Sequence, residues 1–375
     1  MIYLDNNATT KIAPEVLDEM MPYLTENYGN PSSLHSFGGK LYHKISDARE
    51  KVAALIGAEP EEIIFTSGGA ESNNTAIASA LKTATSKKHI VTTEVEHNTV
   101  KNVVEYANGE SCTATIIPVL PTGELDIPAF HRAMADDVAI ASIMMANNET
   151  GVVFPIGELF NSYSRSQTIL HVDAVQAVGK IPINVKEIGA DMLSISGHKI
   201  HAPKGVGALY VRNGCQYHPF ILGGGHENCK RSGTENVASI IGLGKACEMA
   251  MDNLKQPQNQ VSKLQELRDK LERELINRFP RAIVNGRATL RVPNTCSISF
   301  PDIQGDTLLR KLDSKGICAS ARSACSSGAS EPSHVLSAMK VPANMIDSTI
   351  RFSLSNYTTE QEIDDVVTAI ERIMQ

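Results

Sequence analysis

Residues 168–199 read TILHVDAVQAVGKIPINVKEIGADMLSISGHK, and this stretch decides how the rest of the chain is organised. Its two apolar runs, 168–173 and 192–196, have strand length and no helical spacing, so they read as buried strands. Runs of the same kind recur at 62–66 (EIIFT), 89–93 (HIVTT), 138–145 (VAIASIMM) and 206–211 (VGALYV). Between most of them lie helical stretches, such as 40–56, stopped by Gly57, and 70–81. The alternation predicts an α/β fold with a mainly parallel sheet flanked by helices. Ligands of such sheets sit beyond the carboxyl ends of the strands, so catalytic residues are expected there.

The strand ends carry the matching residue types. Lys199 follows the run MLSIS directly, where a desolvated amine becomes neutral and nucleophilic. Lys204, in a Pro-Lys-Gly turn, competes with it but suits exposure better. Asp173 ends the neighbouring strand, where a carboxylate can keep a pyridine nitrogen protonated; it can equally cap a helix. Gln176 is placed to reach a phenolic oxygen of the same ring. The turn TSGGAESNN (66–74) opens a helix with glycines, exposing backbone N–H groups to an anion such as phosphate. An ordinary tight turn is the alternative, and neither a P-loop nor a dinucleotide fingerprint is present. His97, in Glu96-His-Asn98, can stack on a flat ring and exchange protons, or be merely structural. Asn147 and Asn148 add polar groups to the same rim. Five strand ends thus supply, in chain order, a phosphate loop, a ring stacker, an amide, a pyridine partner and a lysine able to form a Schiff base.

Composition narrows the remaining choices. A net charge of −7 argues against nucleic acid as a partner. No apolar run reaches membrane-spanning length, and the opening MIYLD lacks the regions of a secretory signal. The seven cysteines are odd in number and include no C-x-x-C pair, which excludes a disulfide framework and a zinc ribbon. A cytoplasmic location and no metal are therefore expected.

A longer set of motifs resembles the NifS/IscS-type cysteine desulfurases, slightly nearer the NifS side. They are YLDNNATT (3–10), GNPSSLH (29–35), TSGGAESNN (66–74), VEHNTV (95–100), ANNETG (146–151), HVDAVQAVGK (171–180), SGHKIHAPKGVG (196–207), RSGTEN (231–236), SACSSGASEPSHVL (323–336) and TIRFSLS (349–355). They run in order across nearly the whole chain. The resemblance implies a fold-type I, aminotransferase class V-like enzyme that uses pyridoxal 5′-phosphate and forms a homodimer with active sites at the subunit interface. By position, Lys199 would bind the cofactor, Asp173 would pair with its pyridine nitrogen, and Gln176 would donate to its phenolate. His97 would stack on the ring and Asn148 would lie on the rim. Gly69, Ala70, Ser196 and His198 would hold the phosphate, joined by Thr234 of the other subunit. Arg351 and Asn148 would bind the carboxylate substrate, L-cysteine.

Cys325 is expected to take the sulfur as a persulfide. It lies in ASARSACSSGAS (319–330), small and polar throughout, and such a segment has no apolar surface with which to anchor itself. A mobile loop at about 319–332 is therefore expected, able to swing from the cofactor to an acceptor such as a NifU/IscU-like iron–sulfur scaffold or a thiolation protein. Lyases and transaminases of the same fold type need no acceptor thiol. Cys318, after Lys315-Gly-Ile, reads as a core residue. Two positions depart from the family pattern: Ala70, where threonine is usual, and Arg322, where glycine is usual. The expected division is a large cofactor domain at 15–255 and a small α+β domain formed by 1–14 and 256–375. Within these, a long helical region is predicted at about 235–279, strands at 295–300 and 349–354, and helices near 305–312, 333–339 and 360–374.

Overall fold

The computed structural model of the 375-residue chain describes residues 1–84, 88–108, 112–134, 137–163, 168–255, 260–321 and 332–375. From the amino end, β1 (Ile2–Tyr3) leads through an extended arm to α1 (Pro14–Thr25) and α2 (Ser36–Ile56). Next come β2 (Ile63–Thr66), α3 (Gly69–Thr83), β3 (His89–Thr93), α4 (Asn98–Asn108), β4 (Thr113–Ile117), α5 (Ile127–Ala133) and β5 (Val138–Met144). The unit closes with α6 (Ile156–Asn161), β6 (Ile169–Asp173), α7 (Val185–Ile188), β7 (Met192–Ser196) and β8 (Gly207–Val211). Two long helices follow, α8 (Val237–Lys255) and α9 (Gln260–Arg278). The remainder holds β9 (Ile283–Val284), β10 (Thr295–Ser299), α10 (Gly305–Asp313), β11 (Ile317–Cys318), α11 (His334–Ala338), α12 (Ala343–Ile346), β12 (Thr349–Ser353) and α13 (Glu360–Met374).

The main sheet has the order β2-β8-β7-β6-β5-β3-β4. Its pairs from β7 through β4 are parallel, as the alternation predicts, whereas β8 runs antiparallel to both β7 and β2. The reason is local: only residues 200–206 separate Lys199 from β8, too few for the crossover that a parallel strand needs. The central strand β5, Val-Ala-Ile-Ala-Ser-Ile-Met, is buried at every position, since helices cover both of its faces. The predicted 235–279 helix is two helices, one ending at Lys255 and the next beginning at Gln260.

A second core gathers Leu4, Leu271, Phe300, Phe352, Ile363, Val366 and others, where α9, α10 and α13 pack on the antiparallel strands β9, β10 and β12. A capping box between Thr359 and Glu362 starts α13, satisfying N–H groups that the helix itself leaves unpaired. Val335, Leu336, Met339 and Ile346 pack instead in the first core, although they follow α9 in sequence. The amino-terminal arm ties the two cores together. Leu4 N donates to Cys318 O and Asn6 N to Ser353 O, while Thr10 N donates to His198 O and Ala13 N to His201 O. The arm therefore crosses the carboxyl ends of β6 and β7. No helix among the described residues is long and apolar enough to cross a membrane.

Candidate active site

A cavity of about 430 Å³ opens at the carboxyl ends of the strands. Gly69, Ala70, His97, Asn148, Asp173, Gln176, Ser196, His198, Lys199 and Arg351 all line it, along with the arm residues Asn7, Ala8 and Thr9. Ten positions picked from one sequence thus meet in one space. Lys204 is exposed, as expected, yet it also reaches this rim. Thr234 is exposed and is not among the lining residues. Cys318 is half-buried on β11. Cys325, Arg322 and most of the 319–332 segment lie outside the described residues.

The phosphate end is built by α3. Gly68 precedes it at φ +147°, a conformation that side chains rarely tolerate, and no side chain caps the first N–H groups of the helix. Those groups and the helix dipole are left for an anion. Ser196 and His198 adjoin them from the end of β7. Burial, with the Lys199 and Lys204 charges, pushes the His198 imidazole down to about 4, so it stands neutral beside the anion site.

Asp173 is buried and has no cationic partner among the described residues. Its Oδ1 accepts from Val175 N at 3.0 Å, and its Oδ2 from Asn73 Nδ2 at 2.7 Å. The same Asn73 Nδ2 donates to Thr99 Oγ1 at 2.9 Å. Thr99 N in turn donates to His97 Nδ1 at 3.2 Å, and Thr99 Oγ1 lies 3.0 Å from that atom. Because Nδ1 accepts, the network assigns the ring proton to Nε2. Burial lowers the His97 pKa, so a neutral ring with an Nε2 donor lines the cavity. Asn73 and Thr99 therefore orient both the carboxylate and the stacking ring, and sequence reading missed them. They lie inside motifs already singled out, but nothing local shows that α3 and the start of α4 meet over Asp173.

Lys199 Nζ donates to Asn7 O at 2.6 Å and to Ala8 O at 2.7 Å, so the arm holds the amine at the mouth of β7. Arg351, buried on β12, donates from Nη1 to Asn148 O and pairs through Nη2 with Asp5 Oδ1, both near 3 Å. Its Nε is buried and lacks a hydrogen-bond partner among the described residues. A buried cationic donor left unsatisfied is costly.

A family model described as aminotransferase class-V matches residues 2–366. The chain belongs to the aminotransferase class-V family. It is 50% identical over 375 residues to a protein of Trichormus azollae named cysteine desulfurase, covering 100% of this chain and 93% of that one. It is 47% identical over 374 residues to the cysteine desulfurase NifS of Azotobacter vinelandii, covering 100% of this chain and 92% of that protein. A solved structure of a NifS-like protein superposes with a TM-score of 0.91 at 37% identity, covering 99% of this chain and 98% of its own.

The cofactor of this class-V enzyme is pyridoxal 5′-phosphate, and the cavity has the donor set for it. The uncapped N-terminus of α3 suits the phosphate, the unpaired Asp173 carboxylate suits a protonated ring nitrogen, and Lys199 supplies the amine.

Proposed function

We infer that the chain is a cysteine desulfurase, which removes sulfur from L-cysteine to leave L-alanine and a persulfide on Cys325. The observation that carries this reading is that Arg351, a buried guanidinium, lines the same cavity as Lys199 and Asp173. An amino acid needs both a carboxylate grip and an amine-binding cofactor, and this cavity offers donors for each. When bound, the cofactor holds the substrate amine and spreads the negative charge that develops at its α-carbon.

The chain's own residues do the rest. Gly69, Ala70, Ser196 and His198 would hold the phosphate, and Asp173 would keep a proton on the ring nitrogen. Gln176 would donate to the phenolic oxygen, and His97, which lines the cavity, would stack on the ring. Arg351 would bind the substrate carboxylate, with Asn148 beside it. Lys199 Nζ takes the α-proton of cysteine. The Cys325 thiolate attacks the substrate sulfur, so an S–S bond forms as the Cβ–S bond breaks and carbon gains a proton. Cysteine plus one thiol thus becomes alanine plus one persulfide, in balance without an external oxidant.

In this reading the chain works as a homodimer in the cytoplasm, with Thr234 completing the phosphate site of the partner. Its two parts are a cofactor domain at 15–255 and a small domain of 1–14 and 256–375; the second core supports this, although Val335, Leu336, Met339 and Ile346 pack with the first core. The 319–332 segment carries the persulfide to an acceptor protein, an iron–sulfur scaffold of NifU/IscU type or a thiolation protein.

The test is product analysis under anaerobic conditions. Wild type should form alanine and a persulfide in equal amounts, and Cys325→Ala should release no sulfur while keeping the visible absorbance of the lysine-bound cofactor. Sulfur release at the wild-type rate from Cys325→Ala would remove Cys325 from the reaction.

A further inference from the structure

Lys180 has no role in the chemistry above, yet it lies against the cavity wall. It is buried, and Gly179 before it takes φ +74°, which turns the chain so that the lysine folds back under the preceding turn. Its Nζ donates to Gln176 Oε1 at 2.7 Å and to Asn7 Oδ1 at 3.3 Å. No carboxylate pairs with it among the described residues, so this ammonium is held by amide oxygens alone. Burying such a group without a counter-ion is expensive, which argues that its position serves something other than stability.

Burial foremost, with the Lys199 and Arg351 charges, lowers the Lys180 pKa to about 7, but charged or neutral its N–H groups donate to these two oxygens, whereas a side-chain amide has one donating and one accepting end. Lys180 therefore dictates which way Gln176 faces. Its Oε1 must turn to the lysine, and its Nε2 turns to Asn7 O, at 3.0 Å, leaving the second N–H for the cavity. Asn7 is locked in the same manner. Its Oδ1 accepts from Lys180 and Asn294 Nδ2, and its Nδ2 donates to Asn148 O and Thr295 Oγ1. A flipped Gln176 would aim a carbonyl oxygen at the phenolate of the cofactor, replacing attraction with repulsion.

We propose that Lys180 is a positioning residue which fixes the Gln176 amide so that an N–H, and not a C=O, faces the phenolic oxygen of the cofactor. The proposal rests on the reading of Lys199 and Gln176 given above. A donor at that oxygen weakens its hold on the proton shared with the cofactor's linkage to Lys199, so that proton leaves at a lower pH. Losing the donor raises the midpoint. Besides Lys180, the charged and titratable groups facing this corner are Lys199, His198 and His201 after β7, Lys204 before β8, Asp173 on β6, His97 after β3 and Arg351 on β12. All are unchanged in the variants that test the idea.

The experiment is a pH titration of the visible absorbance of cofactor-loaded enzyme, without substrate. Lys180→Met should raise the midpoint by about one pH unit, a tenfold change in proton affinity. Gln176→Leu should raise it similarly, and the double variant should shift no further than Gln176→Leu alone. An unchanged midpoint in Lys180→Met overturns the proposal. So does a shift that persists in full on the Gln176→Leu background, since Lys180 would then act by charge and not through the amide. Lys180→Arg keeps a donor toward Oε1 and should titrate as wild type does; a full-unit shift in that variant also counts against the idea. Borohydride reduction followed by peptide mapping should find the cofactor on Lys199 in every variant. Trapping on another lysine in wild type would sink the Lys199 assignment, an outcome distinct from any shift in midpoint.

Discussion

Ala70 is the residue at which this chain's cofactor affinity can be read most directly. It is the second residue of α3, exposed at the cavity rim, and it brings no hydroxyl to an anion site lined by the start of α3, Ser196 and His198. Ala70→Thr adds one donor there. A hydrogen bond to a charged group is worth roughly 1.5–3 kcal/mol, so the dissociation constant of pyridoxal phosphate should fall roughly ten- to a hundredfold. Equilibrium dialysis against the cofactor measures this, and an unchanged constant would show that the phosphate does not approach position 70. At this scale the sequence was legible wherever one strand end sufficed. Lys199, Asp173 and His97 each follow an apolar run, and each lines the cavity. What stayed hidden were residues whose meaning lies in a partner remote in sequence. Asn73 meets Asp173 across 100 positions, and Asn7 meets Lys180 across 173. No periodicity encodes such a meeting.

Among the elements, the buried strands were predicted nearly to the residue because β5, β6 and β7 are mostly apolar and lie almost wholly out of water. The strand β4 was missed for the opposite reason. It is an edge of the sheet, and only its last residue, Ile117, is buried, leaving no apolar run to detect. The turn after β3 carries a feature that sequence cannot show. Glu96 is fully buried, and its Oε1 accepts from Thr93 Oγ1 and from Met144 N, stitching the ends of β3 and β5 together. Burial foremost pushes this carboxyl up to about 8, with the Asp173 charge adding to it. The folded state therefore keeps a proton that the unfolded chain releases near 4.5. Stability from this group is full below about 4.5 and drains away as pH rises toward about 8. His171, held neutral between Ser142 Oγ and Ser194 Oγ with its pKa near 3, works in the other direction, costing stability as pH falls below 6.5. Between pH 7 and 8 only Glu96 of these two acts. Glu96→Gln mimics the protonated acid and should remove a slope of up to about 1.4 kcal/mol per pH unit in that window. Urea unfolding of variant and wild type at pH 7 and pH 8 measures the difference, and parallel pH dependences would mean that Glu96 is ionised in the fold.

For the whole molecule, the informative mismatch is between the cavity and Thr234. Nine of the ten phosphate- and ring-binding positions expected from the sequence line the cavity of one chain, while Thr234 alone does not. The surface offers a way for a second chain to supply it. Leu17, Met21 and Leu24 on α1 are exposed, as are Leu34 and Phe37 at the start of α2, and Phe220 and Leu222 lie exposed on the loop that leads to Thr234. Both helices pack against α8. So much exposed apolar surface is unusual for a chain that stays alone. We expect the wild-type chain to sediment as a dimer, and Met21→Glu with Leu24→Glu to sediment as a monomer, because a carboxylate buried in an apolar interface is strongly disfavoured. The monomer should also bind pyridoxal phosphate more weakly, having lost the partner's donor. Thr234→Ala separates the two effects: it should remain a dimer and lose cofactor affinity by about tenfold, the worth of one hydrogen bond to a charged oxygen. If Thr234→Ala binds the cofactor as wild type does, each active site is complete within one chain, and the partner's contribution to the phosphate site must be given up.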